Sequence, residues 1–152
     1  MKLLSLILIA IYFSSCSETG KKIKNNEIAI INDTIPETRK VVDKKPVASY
    51  WIQMGNPKLE RKFGVDVYET PYTFKYVLSM QYDAMPQSDS LEVPNFGTWP
   101  KIKVIKGKED LSCIIGFIDA KGNFREYKLL SAKDDKLRLS TLKYYSTSVR
   151  NH

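Results

Sequence analysis

The sequence predicts a mainly β domain, a small antiparallel β-sandwich or partly open barrel with at most one short helix; an α+β arrangement is the alternative. Three observations carry this. The segment YTFKYVLSMQYD, residues 72–83, puts an aromatic or large apolar residue at every even position: Tyr72, Phe74, Tyr76, Leu78, Met80 and Tyr82. That is the period of two expected of a strand with one buried face. The run SCIIGFI, residues 112–118, is apolar on both faces and suits a central strand. From Val47 onward, strand-like runs alternate with Gly, Pro, Asn and Asp, and no long helical periodicity interrupts them.

Composition changes at the same place. Both tryptophans, five of the six phenylalanines and eight of the nine tyrosines lie beyond residue 46. Residues 47–152 are enough chain for one domain with its own core and too few for two.

Each element can be justified in turn. VASYWIQM, residues 47–54, reads as a first strand with Tyr50 and Ile52 on one face and Trp51 on the other. Asn56-Pro57 followed by Gly64 supplies a cap, a proline at the first helical position and a stop, so one or two helical turns are expected between them. Residues 65–70 give a second short strand, which Pro71 breaks before the alternating segment. That segment is longer than most strands, so one end is expected to project or bend. Its even-numbered face reads as core in its inner half, with Phe74 and Leu78 as the positions whose truncation should cost stability.

Residues 83–100, DAMPQSDSLEVPNFGTWP, hold three prolines and a glycine and read as one long loop. The loop also carries Met85, Leu91, Phe96 and Trp99. Either these fold back as a lid over the sheet or they face a partner. Residues 101–106 alternate lysines with Ile102 and Val104, as a charged edge strand does. Asp119-Ala120-Lys121-Gly122 is a hairpin turn returning through residues 123–131; residues 133–136 form another turn, and 137–145 a last strand.

The N-terminus sets the address. MKLLSLILIAIYFSSC has a basic start, an apolar run over residues 3–13, two small residues and a cysteine. A run of eleven residues is too short to cross a bilayer, which takes about 20, so a secretory signal fits better. Ser14-Ser15-Cys16 resembles the lipobox of bacterial lipoproteins. The resemblance implies cleavage after residue 15 and acylation of Cys16, and Ser17 after the cysteine implies the outer membrane. The organisation expected is a signal peptide over 1–15, a lipidated Cys16 with a flexible tether over 16–46, and a β-rich domain over 47–152. The polar tether holds Lys21, Lys22 and Lys24, read as solvated linker charges, and one apolar patch, residues 28–31.

Chemistry is bounded mainly by what the composition lacks. The formal net charge is +7, but the signs alternate, as in KGKED and SAKDDK, which argues against a nucleic-acid partner. The single histidine is His152, so no Ser-His or Cys-His pair and no ordinary zinc set is expected, and no cofactor or metal is implied. With Cys16 acylated, Cys113 has no disulfide partner and reads as a small buried hydrophobe. No catalytic residue stands out. What remains is carboxylates, among them the seven acids Asp66, Glu69, Asp83, Asp89, Glu92, Asp119 and Glu126, a pair of which would be the material for an acid-base couple.

The expected function is therefore a lipid-anchored binding or accessory module. It would be held to the membrane by its acyl chains and would work through a protein partner in the envelope. Met85, Phe96 and Trp99 are the candidate contact residues, Trp99 foremost. A carboxylate-based envelope enzyme and a small-ligand carrier are the alternatives.

Overall fold

A computed structural model describes residues 28–32 and 34–150. Its ten strands are β1 (Ile28–Asn32), β2 (Ala48–Gln53), β3 (Lys62–Glu69), β4 (Lys75–Asp83), β5 (Met85–Glu92), β6 (Lys101–Lys106), β7 (Ser112–Ile118), β8 (Phe124–Lys133), β9 (Lys136–Thr141) and β10 (Ser146–Arg150). Two antiparallel meanders, β2-β3-β4-β5 and β6-β7-β8-β9, form the body of the fold, and β1 pairs in parallel with β10. The two sheets do not close into a barrel; the architecture is that of a β-sandwich.

The aromatic alternation faces the core. Tyr76, Leu78 and Met80 are buried while Val77 and Ser79 on the opposite face are exposed. Their cross-strand partners continue the same face: Leu78 lies opposite Val67 and Met80 opposite Val65. Phe63, Cys113, Ile115, Phe117 and Leu130 join this core, so side chains from β3 and β4 meet those from β7 and β8. Tyr72 and Phe74 precede β4; Tyr72 is exposed and Phe74 only half-buried.

β6 is an edge strand and β7 is flanked on both sides, as the lysine alternation and the doubly apolar run imply. The Asp119–Asn123 turn closes β7 on β8 through an Asp119 N–H to Asn123 carbonyl bond of 2.9 Å. The β8–β9 turn puts both Asp134 and Asp135 at positive φ, 52° and 54°, which short polar side chains tolerate.

Five expectations are corrected. No helix occurs among the described residues, which also removes the α+β alternative. The helix signals at Asn56 and Pro57 mark a turn: Asn56 accepts from Leu59 N through its carbonyl and from Lys58 N through its side chain. Met54 N donates to the Arg61 carbonyl, so the ends of this short loop are already tied as a hairpin, leaving no room for a helix. Gly64 is not a stop. It lies inside β3, where an added Cβ would collide with the Tyr50 carbonyl and the Trp51 ring.

The long loop is mostly a strand. Asp83 turns at φ 58° and β5 returns along β4 in register from Tyr82↔Met85 to Lys75↔Glu92. Pro86 is accommodated because β5 is an edge, where a missing N–H breaks no ladder. Only residues 93–100 remain irregular. The last strand ends at Thr141 instead of residue 145, and β10 follows to pair with β1, which occupies the apolar patch of the expected tether.

Leu78→Ala is expected to destabilise the fold by about 2–5 kcal/mol, as truncation at a fully buried site does. Ser79→Ala on the outer face should cost less than about 0.5 kcal/mol. Urea unfolding of the two variants checks this, and equal losses would contradict the assignment of faces.

Candidate functional site

The strand registers define two ends of the sandwich. At one end lie the pairs Glu69↔Tyr76, Lys75↔Glu92 and Lys101↔Ile118; at the other lie Gln53↔Lys62, Tyr82↔Met85 and Lys133↔Lys136. The first is called the proximal end here, because residues 36–43 reach the domain there.

Those residues form a strap. Thr73 donates its hydroxyl to the Pro36 carbonyl and its N–H to the Glu37 carbonyl, and Thr38 forms an antiparallel bridge with Tyr72. Arg39 N donates to the Pro71 carbonyl at 2.8 Å. The Arg39 side chain is buried: Nη2 donates to the Thr73 carbonyl and to Tyr76 Oη, both at 2.7 Å. Its Nε lies 3.3 Å from Glu69 Oε1, and the guanidinium sits 5.0 Å from the Tyr76 ring centroid. Burial pushes the Tyr76 phenol above its ordinary value, and the hydrogen bond from Arg39 pulls the other way.

A groove of about 460 Å³ opens between the strap and the end of the 93–100 connection, lined by Pro36, Arg39, Lys40, Val41, Glu69 and Trp99. Trp99 is 49% exposed and Val41 80%. Three residues before Trp99, the chain turns inward: Asn95 Oδ1 accepts from Gly97 N, and the Phe96 ring stacks on Phe117 with centroids 5.2 Å apart. Phe96 also meets Tyr145 edge-on, and Tyr127 closes the ring cluster against Phe117 and Tyr145. The same short segment thus provides a lid residue, Phe96, and an exposed one, Trp99.

Met85 lies at the distal end. It and Tyr82 and Gln87 from the first sheet face Asp135, Lys136 and Leu137 from the second across a groove of about 290 Å³. Tyr82 Oη donates to Asp135 Oδ1 at 3.2 Å and bridges the two sheets there. Tyr76, which meets the Pro100 carbonyl, is six residues along β4 from Tyr82, about 20 Å of strand. The three candidate contact residues are therefore not brought together: Trp99 is proximal, Met85 distal, and Phe96 is turned into the core.

Cys16 and the lipobox-like stretch lie outside the described residues, as does His152. Cys113 is fully buried, and burial pushes its thiol up to about 12. The seven acids are engaged locally. Asp66 accepts from Ser49 Oγ and Trp51 Nε1, Asp83 pairs with Arg61, and Glu92 lies 3.9 Å from Lys75. Asp89 accepts from Ser90 N, Glu126 pairs with Lys143, and Glu69 with Arg39. Asp119 is held below the usual carboxylate range by the N–H of Asn123 first and then by Arg125 and the N–H of Lys121. Among the described residues no group of three or more His, Cys, Asp or Glu could hold a metal ion.

No family model matches the chain, and no curated protein or solved structure is significantly similar to it. Its site must be read from its own residues.

The Arg39–Glu69–Tyr76 knot escaped sequence reading. Arg39 stands in the polar run ETRK, with no apolar neighbour to signal burial. A faint signal was present in Tyr76, whose hydroxyl would need a partner on a face otherwise predicted to be dry.

Two measurements check these assignments. With Cys16 replaced by alanine, Cys113 should resist a thiol reagent at pH 8 in the native state and react stoichiometrically once unfolded. Labelling of the folded chain would contradict its burial. For Asp119, the folded-state pKa is depressed, so its stabilisation is complete above the unfolded value of about 4 and is lost as pH falls through the folded one. The gap in Tm between wild type and Asp119→Asn should therefore narrow steadily as pH is lowered below about 4; a gap independent of pH would show that the charge is not what matters.

Proposed function

We propose that the protein is a lipid-anchored binding module of the bacterial envelope that works through protein contacts. The observation that carries the anchoring is the layout of residues 1–16, a basic start and an apolar run ending in Ser14-Ser15-Cys16. Two or three acyl chains on Cys16 would hold the chain stably, where a single chain is marginal. The site is proposed to be the outer membrane, on the strength of Ser17.

The contact surface is assigned to the distal end. Among the described residues β5 and β9 are both edge strands, with a hydrogen-bonded neighbour on one side only. They flank the groove that holds Met85, which is 54% exposed. An adaptable thioether beside two open strand edges suits a protein partner, which can add a strand and seat a side chain in the groove. The carrier alternative draws no support from the space between the sheets, which Phe63, Tyr76, Leu78, Ile115 and Phe117 occupy. The enzyme alternative would need two acids facing a cleft, whereas each named acid is bonded to a neighbour in its own sheet, turn or strap.

Two experiments test the reading. Cys16→Ala should abolish palmitate incorporation in cells and move the chain out of the detergent-rich phase; unchanged labelling would rule out the anchor. A photo-cross-linking residue in place of Met85 should yield an envelope-protein adduct that the same residue at Val77, exposed on the outer face of β4, does not. Equal adducts, or none, would remove the distal surface.

A further inference from the structure

We infer that the proximal end of the sandwich is a membrane-docking face that rests on an anionic lipid surface. The exposed apolar side chains are unevenly placed. Val41, Trp99, Tyr72 and Tyr144 all project at the proximal end, whereas Leu59 and Met85 are the large exposed ones at the distal end. Trp99 and Val41 share one groove, and Tyr72 adjoins it through the Thr38 bridge. Tyr144 follows Lys143, which pairs with Glu126 beside the ring cluster. Half-exposed tryptophan and tyrosine are the side chains suited to the headgroup level, with an apolar body and a polar tip.

Charge points the same way. The proximal acids Glu69, Glu92, Asp119 and Glu126 are matched by Arg39, Lys75, Arg125 and Lys143. That leaves Lys40, Lys44, Lys45 and Lys101 in excess over Glu37 and Asp43. Lysines beside an anionic leaflet each add to binding, and their attraction is screened by salt.

The occupant follows from where the chain arrives. The described chain begins at Ile28, 12 residues after Cys16, where β1 pairs with β10 just beyond Tyr145 of the ring cluster, and the strap follows from Pro36, so an anchor at Cys16 would hold the proximal end towards the bilayer. The inference rests on the lipid-anchored reading for that orientation. It complements the distal contact surface, since a domain seated by its proximal end presents β5, β9 and Met85 outward.

The test uses residues 17–152, which include every described strand and lack both the apolar leader and Cys16. Phosphatidylglycerol vesicles should sediment this chain far better than phosphatidylcholine vesicles. In the Trp51→Phe background, Trp99 emission should shift to the blue and be quenched by brominated lipid; in Trp99→Phe, Trp51 on the outer face of β2 should not be quenched. The double variant Lys44→Ala/Lys45→Ala should lower the partition coefficient about 20- to 30-fold, from the usual contribution per lysine. Met85→Ala and Leu59→Ala at the far end should leave it unchanged. Failure to sediment with anionic vesicles, or sedimentation with Trp99 unshifted and unquenched, would overturn the inference. Because no acyl group is present, that outcome is independent of palmitate labelling at Cys16, so the anchor and the docking face can fail separately.

Discussion

The guanidinium of Arg39 is taken out of water at the point where three parts of the molecule meet, and the proximal end depends on how that charge is matched. Glu69 at the end of β3 supplies the counter-charge, and the Thr73 carbonyl and the Tyr76 hydroxyl accept from Nη2. Removing one partner from a buried pair of this kind costs about 3–5 kcal/mol, because the remaining charge stays buried. The dependence is mutual. Tyr76 is buried within the apolar face of β4, where its hydroxyl accepts from Arg39 at 2.7 Å and meets the Pro100 carbonyl at 3.4 Å. Among the described residues Arg39 Nε and Nη1 make no hydrogen bond, so the guanidinium is held through Nη2 and the ion pair with Glu69; the strap lies along the β3–β4 connection and becomes one wall of the groove beside Trp99. Lysine could not replace Arg39 equivalently, since a single ammonium lacks the planar fork that reaches carboxylate, carbonyl and phenol together.

How far the fold was legible depended on whether local pattern or distant pairing decided each element. β4 and β7 were legible because their burial repeats with a period of two or fills both faces, and the pattern is local. β5 was not: only Leu91 in MPQSDSLE is buried, so no alternation exists to find, and its proline and two serines look like loop. What makes it a strand is the turn at Asp83 and the open edge of β4. The cap and proline at Asn56-Pro57 are real local signals, but the hairpin closes within a few residues and leaves only a turn. β1 depends on β10, more than a hundred residues away, and nothing local announces that pairing.

The candidate site shows the same limit. That the 93–100 segment held aromatic residues of two kinds was visible; which of them turned inward was not. Phe96 is drawn in by Phe117, Tyr145 and the Asn95–Gly97 turn, whereas Trp99 lines the open groove beside the strap. A sandwich that opens polar edge strands at one end and aromatic and basic side chains at the other has two faces of different chemistry. A single contact surface built from Met85, Phe96 and Trp99 would have required the chain to fold across about 20 Å of strand.

The glycines buried in the sheets have an effect on how the strands find their partners. In β3, Gly64 lies under the Tyr50 carbonyl and the Trp51 ring; in β7, Gly116 lies under the Arg125 carbonyl and the Phe124 ring. In both places a Cβ would overlap backbone, which cannot swing aside as a side-chain tip can. A slip of one residue along β3 would bring Phe63 or Val65 under that carbonyl, and a slip along β7 would bring Ile115 or Phe117. Each sheet thus carries an internal steric check on its own alignment. The register is therefore specified within each meander as well as by the apolar faces that meet between them.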